Sequence, residues 1–342
     1  MLSLEGDGMN KQVAKNILTR VKERAQEASG PGKLKIALVI QGGTLRSVAS
    51  CGSAAALNYL NLTNAFDIVY AASSGAVNAA YFLSNQGALG ITVYTEDVNN
   101  RRFLNFLRFQ KIMDLEYFFE EIVLKRKKHD SDKLIKHPTE LQVITTDLDT
   151  SETVWFSSKD SRIDFYAAMK ASCALPLIYG RGVLVDGRRF IDGFIKEPIP
   201  IITPFEKDYT DILVLMTRNI SFRESSRVGL FSKLIFDPLM KREIKSDLYN
   251  LYKGRSKLYN WAADKIKSGV YRRQDGHEIR IAYICPDLES EAYKFELNSK
   301  RLANAAYSSW KNTFQFFEAS EGSTREDFEN ELIKAKREIG LI

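Results

Sequence analysis

The stretch Phe66–Ala80, FDIVYAASSGAVNAA, decides the fold of this chain, because it predicts a strand, a sharp turn and a helix in direct succession. Phe66 to Tyr70 is an apolar run of strand length with β-branched and aromatic side chains. Five small residues follow, Ala71 to Gly75, and small residues let a backbone reverse without side-chain collisions. The Ala-rich run Ala76 to Leu83 predicts a helix packed on the sheet. Ser73 lies at the centre of this turn, which is the layout of a nucleophile elbow.

A second strand-turn-helix unit comes directly before this one. Leu34 to Ile40 is a continuous apolar run, typical of a parallel strand covered on both faces. Gly42 and Gly43 follow it, and Val48 to Leu60 predicts a helix of small residues. Two such units predict an α/β fold with a mainly parallel central sheet. The further predicted strands are Glu140–Thr146, Glu152–Phe156, Val183–Val185, Arg189–Ile191, Asp211–Met216 and Glu278–Ile284.

The remaining segments are predicted to be mostly helical. Residues 1–8 resemble a loose leader, and Asn10 to Ala28 has apolar residues at helical spacing. Gly87 to Pro138 predicts a helical insertion that caps the site, with Met113 to Phe119 as its most apolar part. We expect three parts: a leader and amphipathic helix over 1–32, a catalytic core over 33–220, and a helical extension over 221–342 that adds the strand at 278–284 and packs on the same domain.

Composition limits the class of protein. The chain has 342 residues, 44% of them hydrophobic and 27% charged, which is ordinary for a globular protein. Its net charge of +6 suits either a solvated basic surface or contact with anionic lipid. Three widely spaced cysteines, Cys51, Cys173 and Cys285, indicate neither a disulfide framework nor a zinc site. With no signal-peptide pattern and no membrane-spanning apolar window, we expect a cytoplasmic protein, at most peripheral at the inner membrane surface, with no metal, cofactor or nucleic acid.

The glycine pair after the first strand is the next candidate for chemistry. Gly42 and Gly43 leave backbone N–H groups uncovered at the start of a helix, where phosphate or an oxyanion binds. Neither G-x-G-x-x-G nor G-x-x-x-x-G-K-[ST] is present here, so a nucleotide site is not indicated. A candidate nucleophile one unit later favours the oxyanion interpretation. The alternative is a tight turn that needs glycine for packing alone.

Ser73 requires a base to become a nucleophile. None of the three histidines follows a predicted strand at a sheet edge, and we expect all three at the surface: His129, His137 and His277. Asp192 is better placed, because it follows an apolar pair and precedes Gly193. Partly desolvated at a strand end, such a carboxylate is basic enough to act without histidine. Asp186 is a rival six residues earlier, although an Asp-Gly pair after a strand is usually a turn.

Four segments together resemble those of patatin-like phospholipases and occur in the family's order, and two further stretches, Met113–Phe119 and TELQVITTDLDTSETVWFS, resemble the bacterial branch of that family. QGGTLRS resembles the family's G-G-G-x-R-G loop, AASSGAVNAA its elbow, ASCALP its A-S-x-A-x-P segment, and FIDGFIKEPIP its segment around the catalytic aspartate. The resemblance implies a three-layer α/β/α sandwich with helical insertions and C-terminal helices. It also implies a Ser-Asp dyad that acts on lipid acyl esters without a metal.

Residue by residue, the resemblance implies a complete site. Ser73 is then the nucleophile and Asp192 the base. The backbone amides of Gly42, Gly43 and Thr44 form the oxyanion hole, and the supporting residues are Arg46, Gly75 and Gly193. The expected function is serine hydrolysis of lipid acyl esters, of the phospholipase A or lysophospholipase type, on a phospholipid or lysophospholipid substrate. Acyl transfer from the same acyl-enzyme, or a catalytically weak lipid-binding or regulatory protein, are the alternatives. Nothing in the sequence indicates the oligomeric state.

Four positions depart from the family pattern. Thr44 and Ser47 replace loop glycines, Ala71 the first elbow glycine, and Phe194 the second glycine after the aspartate. A β-branched residue does not readily adopt positive φ, so a turned peptide at Thr44 is expected to remove one oxyanion donor. Losing one such donor costs about 10²–10³ in rate. Phe194 is expected to narrow the mouth of the site or to contact an acyl chain.

The basic and aromatic region Phe222–Lys267 is the candidate for membrane contact. It mixes apolar and cationic side chains, a combination that lets a helix rest on anionic lipid: Phe231, Leu234, Ile235, Phe236, Leu239 and Met240 among Lys233, Lys241, Arg242 and Lys245. The alternative is an amphipathic helix packed on the protein's own sheet.

Overall fold

The described part of the chain folds around a nine-stranded central sheet. The structure, a computed structural model, describes residues 4–25, 34–108, 111–180, 182–225 and 244–342, with side chains from residue 11 onward. The strands are β1 (Ile36–Ile40), β2 (Ile68–Ala72), β3 (Glu140–Asp147), β4 (Thr153–Ser157), β5 (Val183–Val185), β6 (Arg188–Asp192), β7 (Asp211–Leu215), β8 (Val270–Arg272) and β9 (Glu278–Ile284). The α-helices are α1 (Leu4–Ala25), α2 (Val48–Tyr59), α3 (Ser74–Leu83), α4 (Gly87–Thr92), α5 (Ser131–Lys136), α6 (Phe165–Ser172), α7 (Ile202–Phe205), α8 (Ser246–Lys267), α9 (Ser299–Phe316) and α10 (Arg325–Glu338).

The order of the strands locates the site. It is β5-β6-β3-β2-β1-β7-β9-β8, with β4 paired to β3. Strands β3, β2, β1, β7 and β9 are mutually parallel, and the other four are joined through antiparallel pairs. The chain proceeds from β1 through β2 to β3, and then places β7 and β9 on the other side of β1. Ligands bind outside the carboxyl ends of parallel strands at such a reversal. The predicted mainly parallel α/β fold is confirmed.

Side chains of β1 alternate between two apolar cores, one on each face of the sheet. Ile36, Leu38 and Ile40 pack with α2 and α3, whereas Ala37 and Val39 pack in the opposite core with residues of α8. All five side chains are fully buried. Complete burial of each larger aliphatic side chain contributes about 1.5–3 kcal/mol. The sheet is therefore covered on both faces, as a three-layer α/β/α arrangement requires.

The turn at Ser73 is tighter than predicted. Ala71 and Ala72 belong to β2, and α3 begins at Ser74, so one residue separates strand from helix. The close packing of α3 explains this, because a Cβ added to Gly75 would lie 2.6 Å from the carbonyl oxygen of Ile40. Helix α1 begins at Leu4, so the prediction of a loose leader was wrong from that residue on.

The C-terminal half contributes to both the sheet and its cover. Short strand β8 falls in a region predicted to be helical, where it pairs antiparallel with β9. Helix α8 buries Tyr259, Ala262 and Ile266 in the core against β9, so this part of the basic and aromatic region packs on the protein's own sheet. The residues predicted to contact lipid between Phe231 and Arg242 lie outside the described residues, and membrane contact stays a prediction. Among the helices that the structure describes, none has the length and hydropathy needed to span a bilayer.

Two glycines allow a matched test of helix packing. A Cβ at Gly52 in α2 would lie 2.2 Å from the carbonyl oxygen of Ala306 in α9, whereas a Cβ at Gly254 in α8 meets no atom within 4 Å. We expect Gly52→Ala to lower the free energy of unfolding by at least about 1–3 kcal/mol through overpacking. The control Gly254→Ala should raise it by about 0.5–1 kcal/mol. Urea unfolding of both variants measures the difference, and equal midpoints would contradict the close α2–α9 packing.

Candidate active site

Ser73 is held in a backbone conformation that serine rarely adopts. It has φ 55° and ψ −140° between the end of β2 and the first turn of α3. A non-glycine residue in this region costs about 1–3 kcal/mol and persists only where its surroundings fix it. The strained turn places Ser73 at the positive end of the helix, as in a nucleophile elbow. Its side chain is 7% exposed.

The last residue of α6 and the segment that follows it position both predicted catalytic residues. Ser172 accepts a hydrogen bond from the Ser73 backbone N–H at 2.8 Å and donates one to the carbonyl oxygen of Ile144 at 2.7 Å. Two residues later, the carbonyl oxygen of Ala174 accepts from the Asp192 N–H at 3.1 Å. One turn therefore fixes Ser73 relative to Asp192. Sequence reasoning used ASCALP only as part of the resemblance and did not predict this role for Ser172.

Asp192, at the end of β6, is fully buried, which is more than the partial desolvation expected. Its Oδ1 accepts from the Phe194 N–H at 2.9 Å, and its Oδ2 completes no hydrogen bond with the described residues. Burial raises the pKa of Asp192 to about 7, while the nearby Ser73 hydroxyl, the Phe194 N–H and Lys294 oppose the rise. Contacts between a catalytic base and its partner commonly tighten only when substrate binds. Oδ2 is thus the acceptor left for a proton.

The glycine loop lies against the elbow. A Cβ at Gly42 would lie 2.4 Å from the carbonyl oxygen of Ala72 and 2.6 Å from the Cβ of Ser73, so only glycine fits there. The N–H of Gly43 donates to Ser74 Oγ at 3.3 Å. The backbone N–H groups of Gly42 and Thr44 have no hydrogen-bond partner among the described residues. Two donors of the three predicted are therefore unengaged beside Ser73.

Thr44 adopts the conformation that was expected to be difficult for it. Its φ is 58°, in the left-handed region. A pair of serines holds it there: Ser74 Oγ donates to the Thr44 carbonyl oxygen at 3.2 Å, and Ser47 Oγ lies 2.6 Å from Ser74 Oγ. The expectation that Thr44 resists positive φ was wrong, because Ser47, itself a departure from the family pattern, supports the loop through Ser74.

Histidine takes no part in the site. His129 is 2% exposed, so its predicted surface location was wrong. Its ring nitrogens contact Ser84 Oγ at 2.8 Å and the Tyr166 hydroxyl at 2.6 Å, and burial lowers its pKa to about 4. His137 and His277 are half-buried elsewhere, and none of the three lines the cavity beside Ser73. The rival carboxylate Asp186 lies exposed at a turn and does not line it either.

Two cavities of opposite character meet at Ser73. The larger, about 260 Å³, contains Gly42, Gly43, Ser73 and Asp192 and is lined by four cations, Arg46, Arg218, Arg255 and Lys294. The smaller, about 20 Å³, is apolar and shares Thr44 and Ser73 with the first; its walls are Leu45, Tyr94, Val98, Phe103, Met113, Leu115 and Phe118. The apolar part of the insertion therefore lies at the site. Phe194 lines the larger cavity and is absent from the walls of the apolar one.

The supporting residues named from the sequence have structural roles. Arg46 Nε donates to Thr217 Oγ1 at 3.4 Å, which joins the glycine loop to the segment after β7. A Cβ at Gly193 would lie 2.8 Å from the Ile144 side chain, so Gly193 lets the end of β6 approach β3. Among the described residues, no group of three His, Cys, Asp or Glu side chains has the geometry of a metal site. The three cysteines are free thiols.

The chain is similar to several known proteins. Residues 38–204 match the family model described as patatin-like phospholipase. The uncharacterized protein YjjU of Escherichia coli (strain K12) is 25% identical over 193 residues, which are 55% of this chain and 52% of YjjU. The aligned region thus spans about half the length of that relative. The crystal structure of VipD from Legionella pneumophila is similar with a TM-score of 0.41 and 12% identity, over 90% of this chain and 74% of VipD.

The chain therefore contains a patatin-like phospholipase domain. That family supports lipid acyl hydrolysis as the general activity. The matched residues begin within β1, include the glycine loop, the turn at Ser73 and Asp192, and end at Pro204. Arg218, Arg255 and Lys294, three of the four cations of the larger cavity, lie beyond it.

Burial of Asp192 has a measurable cost in stability. A carboxyl whose pKa rises from 3.8 to about 7 on folding binds its proton more tightly in the folded state, so the protein loses stability as pH rises from 4 to 7. Asp192→Asn removes this penalty. We therefore expect the free energy of unfolding of Asp192→Asn minus that of wild type to increase by about 2–4 kcal/mol from pH 4 to pH 8.

Urea unfolding at pH 4, 6 and 8 measures this difference. Asp186→Asn, which changes an exposed carboxylate of a turn, is the control for the substitution itself. A difference between Asp192→Asn and wild type that stays constant with pH would show that the Asp192 pKa is not raised.

Proposed function

We propose that this protein hydrolyses acyl esters of phospholipids or lysophospholipids, with Ser73 as nucleophile and Asp192 as general base. One observation carries the proposal: Ser73 lines both a cationic cavity, which also contains Asp192, and an adjoining apolar one. An amphiphile with an ester between head group and acyl chain matches this division. The apolar cavity is narrow, so its walls of Leu, Met and Phe must move apart to admit a chain.

In the proposed reaction, Ser73 Oγ attacks the ester carbonyl while Asp192 Oδ2 accepts its proton. The unengaged amides of Gly42 and Thr44 stabilise the developing oxyanion. The Gly43 amide contributes less than expected from the resemblance, because Ser74 Oγ already accepts its N–H. Asp192 then returns the proton to the leaving alcohol. Water, activated by the same carboxylate, hydrolyses the acyl-enzyme.

Ser73→Ala and Asp192→Asn test the dyad. We expect each to lower kcat/KM for p-nitrophenyl butyrate and for a lysophospholipid by at least about 10³-fold, because nucleophile and base act as a unit. Ser73→Ala should also abolish covalent labelling by a fluorophosphonate. The control His277→Gln changes a histidine remote from the cavity and should retain both activities.

The outcomes of this experiment distinguish the alternatives. Activity that survives both substitutions would exclude the dyad. Ester turnover that produces a new ester in the presence of an added alcohol would indicate acyl transfer from the same acyl-enzyme. Absence of labelling in wild type, with retained binding to liposomes, would indicate a lipid-binding protein.

The pH dependence of the reaction tests the role of Asp192 as base. Only the ionised carboxylate accepts a proton, and its pKa is raised to about 7 by burial. We expect kcat/KM for p-nitrophenyl butyrate to rise about tenfold per pH unit below pH 7 and to level off above it. The rate of fluorophosphonate labelling should follow the same curve. An acid limb with its midpoint below pH 5 would contradict a buried aspartate as the base.

A further inference from the structure

The larger cavity has more cationic than anionic side chains. Arg218 pairs with Glu291 at 3.1 Å, and Arg255 pairs with Glu224 at 3.4 Å. Arg46 and Lys294 line the same cavity, and neither forms an ion pair with a carboxylate of the described residues. Two cations are therefore left for a ligand beside Ser73.

The environment of these two cations favours an incoming anion. Burial and the neighbouring Arg218 lower the pKa of Arg46 to about 10. Burial and Arg46 lower the pKa of Lys294 to about 8, although Asp192 attracts its ammonium group. Cations that are taken from water and placed beside each other are destabilised until a counter-charge arrives. A phosphate group supplies that charge together with acceptors for charge-assisted hydrogen bonds.

Three of the four aromatic side chains that line the cavity, Phe194, Phe222 and Tyr252, lie against cations of the protein. The Arg218 guanidinium lies 3.9 Å from the centre of the Phe222 ring, and that of Arg255 lies 4.1 Å from the Tyr252 ring. Lys294 Nζ lies 5.4 Å from the centre of the Phe194 ring. Quaternary ammonium groups bind on free aromatic faces. A choline head group would therefore meet like charges and, at three of the four rings, a face that a cation already covers.

We propose that this cavity selects lipids whose head group carries a net negative charge over zwitterionic choline lipids, with Lys294 as the residue that determines the selectivity. The proposal rests on the function proposed for Ser73. Lys294 is fixed beside the glycine loop, because its carbonyl oxygen accepts from the Leu45 N–H at 3.1 Å. It lies outside the region that matches the family, so this selectivity belongs to the C-terminal part of this chain.

Head-group preference is tested as a ratio measured within each variant. The ratio is kcat/KM for a short-chain lysophosphatidylglycerol divided by kcat/KM for the lysophosphatidylcholine of the same chain, both kept monomeric. Changes in the reactivity of Ser73 or Asp192 that are the same for both substrates cancel in this ratio. We expect this ratio to be at least about ten in the wild type. In Lys294→Met we expect the ratio to be about 10- to 100-fold lower, which is the effect of losing one hydrogen bond to a charged group.

Two further variants make the test specific. Lys294→Arg keeps the charge and should retain most of the ratio. Lys300→Met removes an exposed charge that does not line the cavity, and its ratio should equal that of wild type. A wild-type ratio near one, or an unchanged ratio in Lys294→Met, would overturn the proposal.

Binding to Ser73→Ala separates this inference from the proposed catalysis. Isothermal calorimetry with the same two lipids gives a ratio of Kd values without turnover. If Ser73→Ala prefers the anionic lipid and Ser73→Ala/Lys294→Met does not, the head-group site is supported. If wild type then shows no hydrolysis, only the proposed function fails. Equal Kd values together with hydrolysis that depends on Ser73 would sink the head-group site and leave the hydrolase intact.

Discussion

The strained backbone of Ser73 is the constraint on which the site depends. Its conformation costs about 1–3 kcal/mol and must be stabilised by its surroundings. Three contacts do so: Gly42 allows the loop to lie against the Ser73 Cβ, Gly75 allows α3 to lie against β1, and Ser172 accepts the Ser73 N–H. Each contact comes from a different segment of the chain. The parallel sheet brings these segments together, because its strands end at the same edge.

The same constraint explains why Thr44 and Ser47 replace glycines without opening the loop. A glycine-rich loop adopts positive φ at no steric cost but has no side chains to hold it. Here Ser74, the residue directly after Ser73, bonds to the Gly43 amide and to the Thr44 carbonyl oxygen, and Ser47 supports it. The elbow and the loop therefore stabilise each other. This arrangement leaves the Thr44 N–H without a partner among the described residues. It also engages the Gly43 N–H with Ser74 Oγ, which the resemblance to the family did not predict.

The strands and turns that a local sequence pattern determines could be predicted from the sequence. The apolar runs of β1 and β2, the small residues around Ser73 and the Phe190–Ile191 pair before Asp192 identify strands and turns, and ordering them predicts the parallel sheet. Long-range contacts lay beyond such reasoning. The burial of His129 depends on Ser84 and Tyr166, and the cationic cavity combines residues from the ends of β1 and β7 with others from α8 and the loop before α9. Neither arrangement leaves a periodic signal in one stretch of sequence.

Charge connects Asp192, the proposed base, to the proposed head-group cavity. Asp192 is buried deeply enough to be a strong base, yet it must ionise to act, and the attraction of Lys294 lowers its pKa toward the value at which it does. An anion bound to Lys294 would weaken that attraction and make the ionised Asp192 more basic at the moment when Ser73 has to lose its proton. A ligand without negative charge leaves the attraction as it is. The cation proposed to select the substrate would therefore also adjust the proposed base, because Lys294 and Asp192 line the same cavity and attract each other.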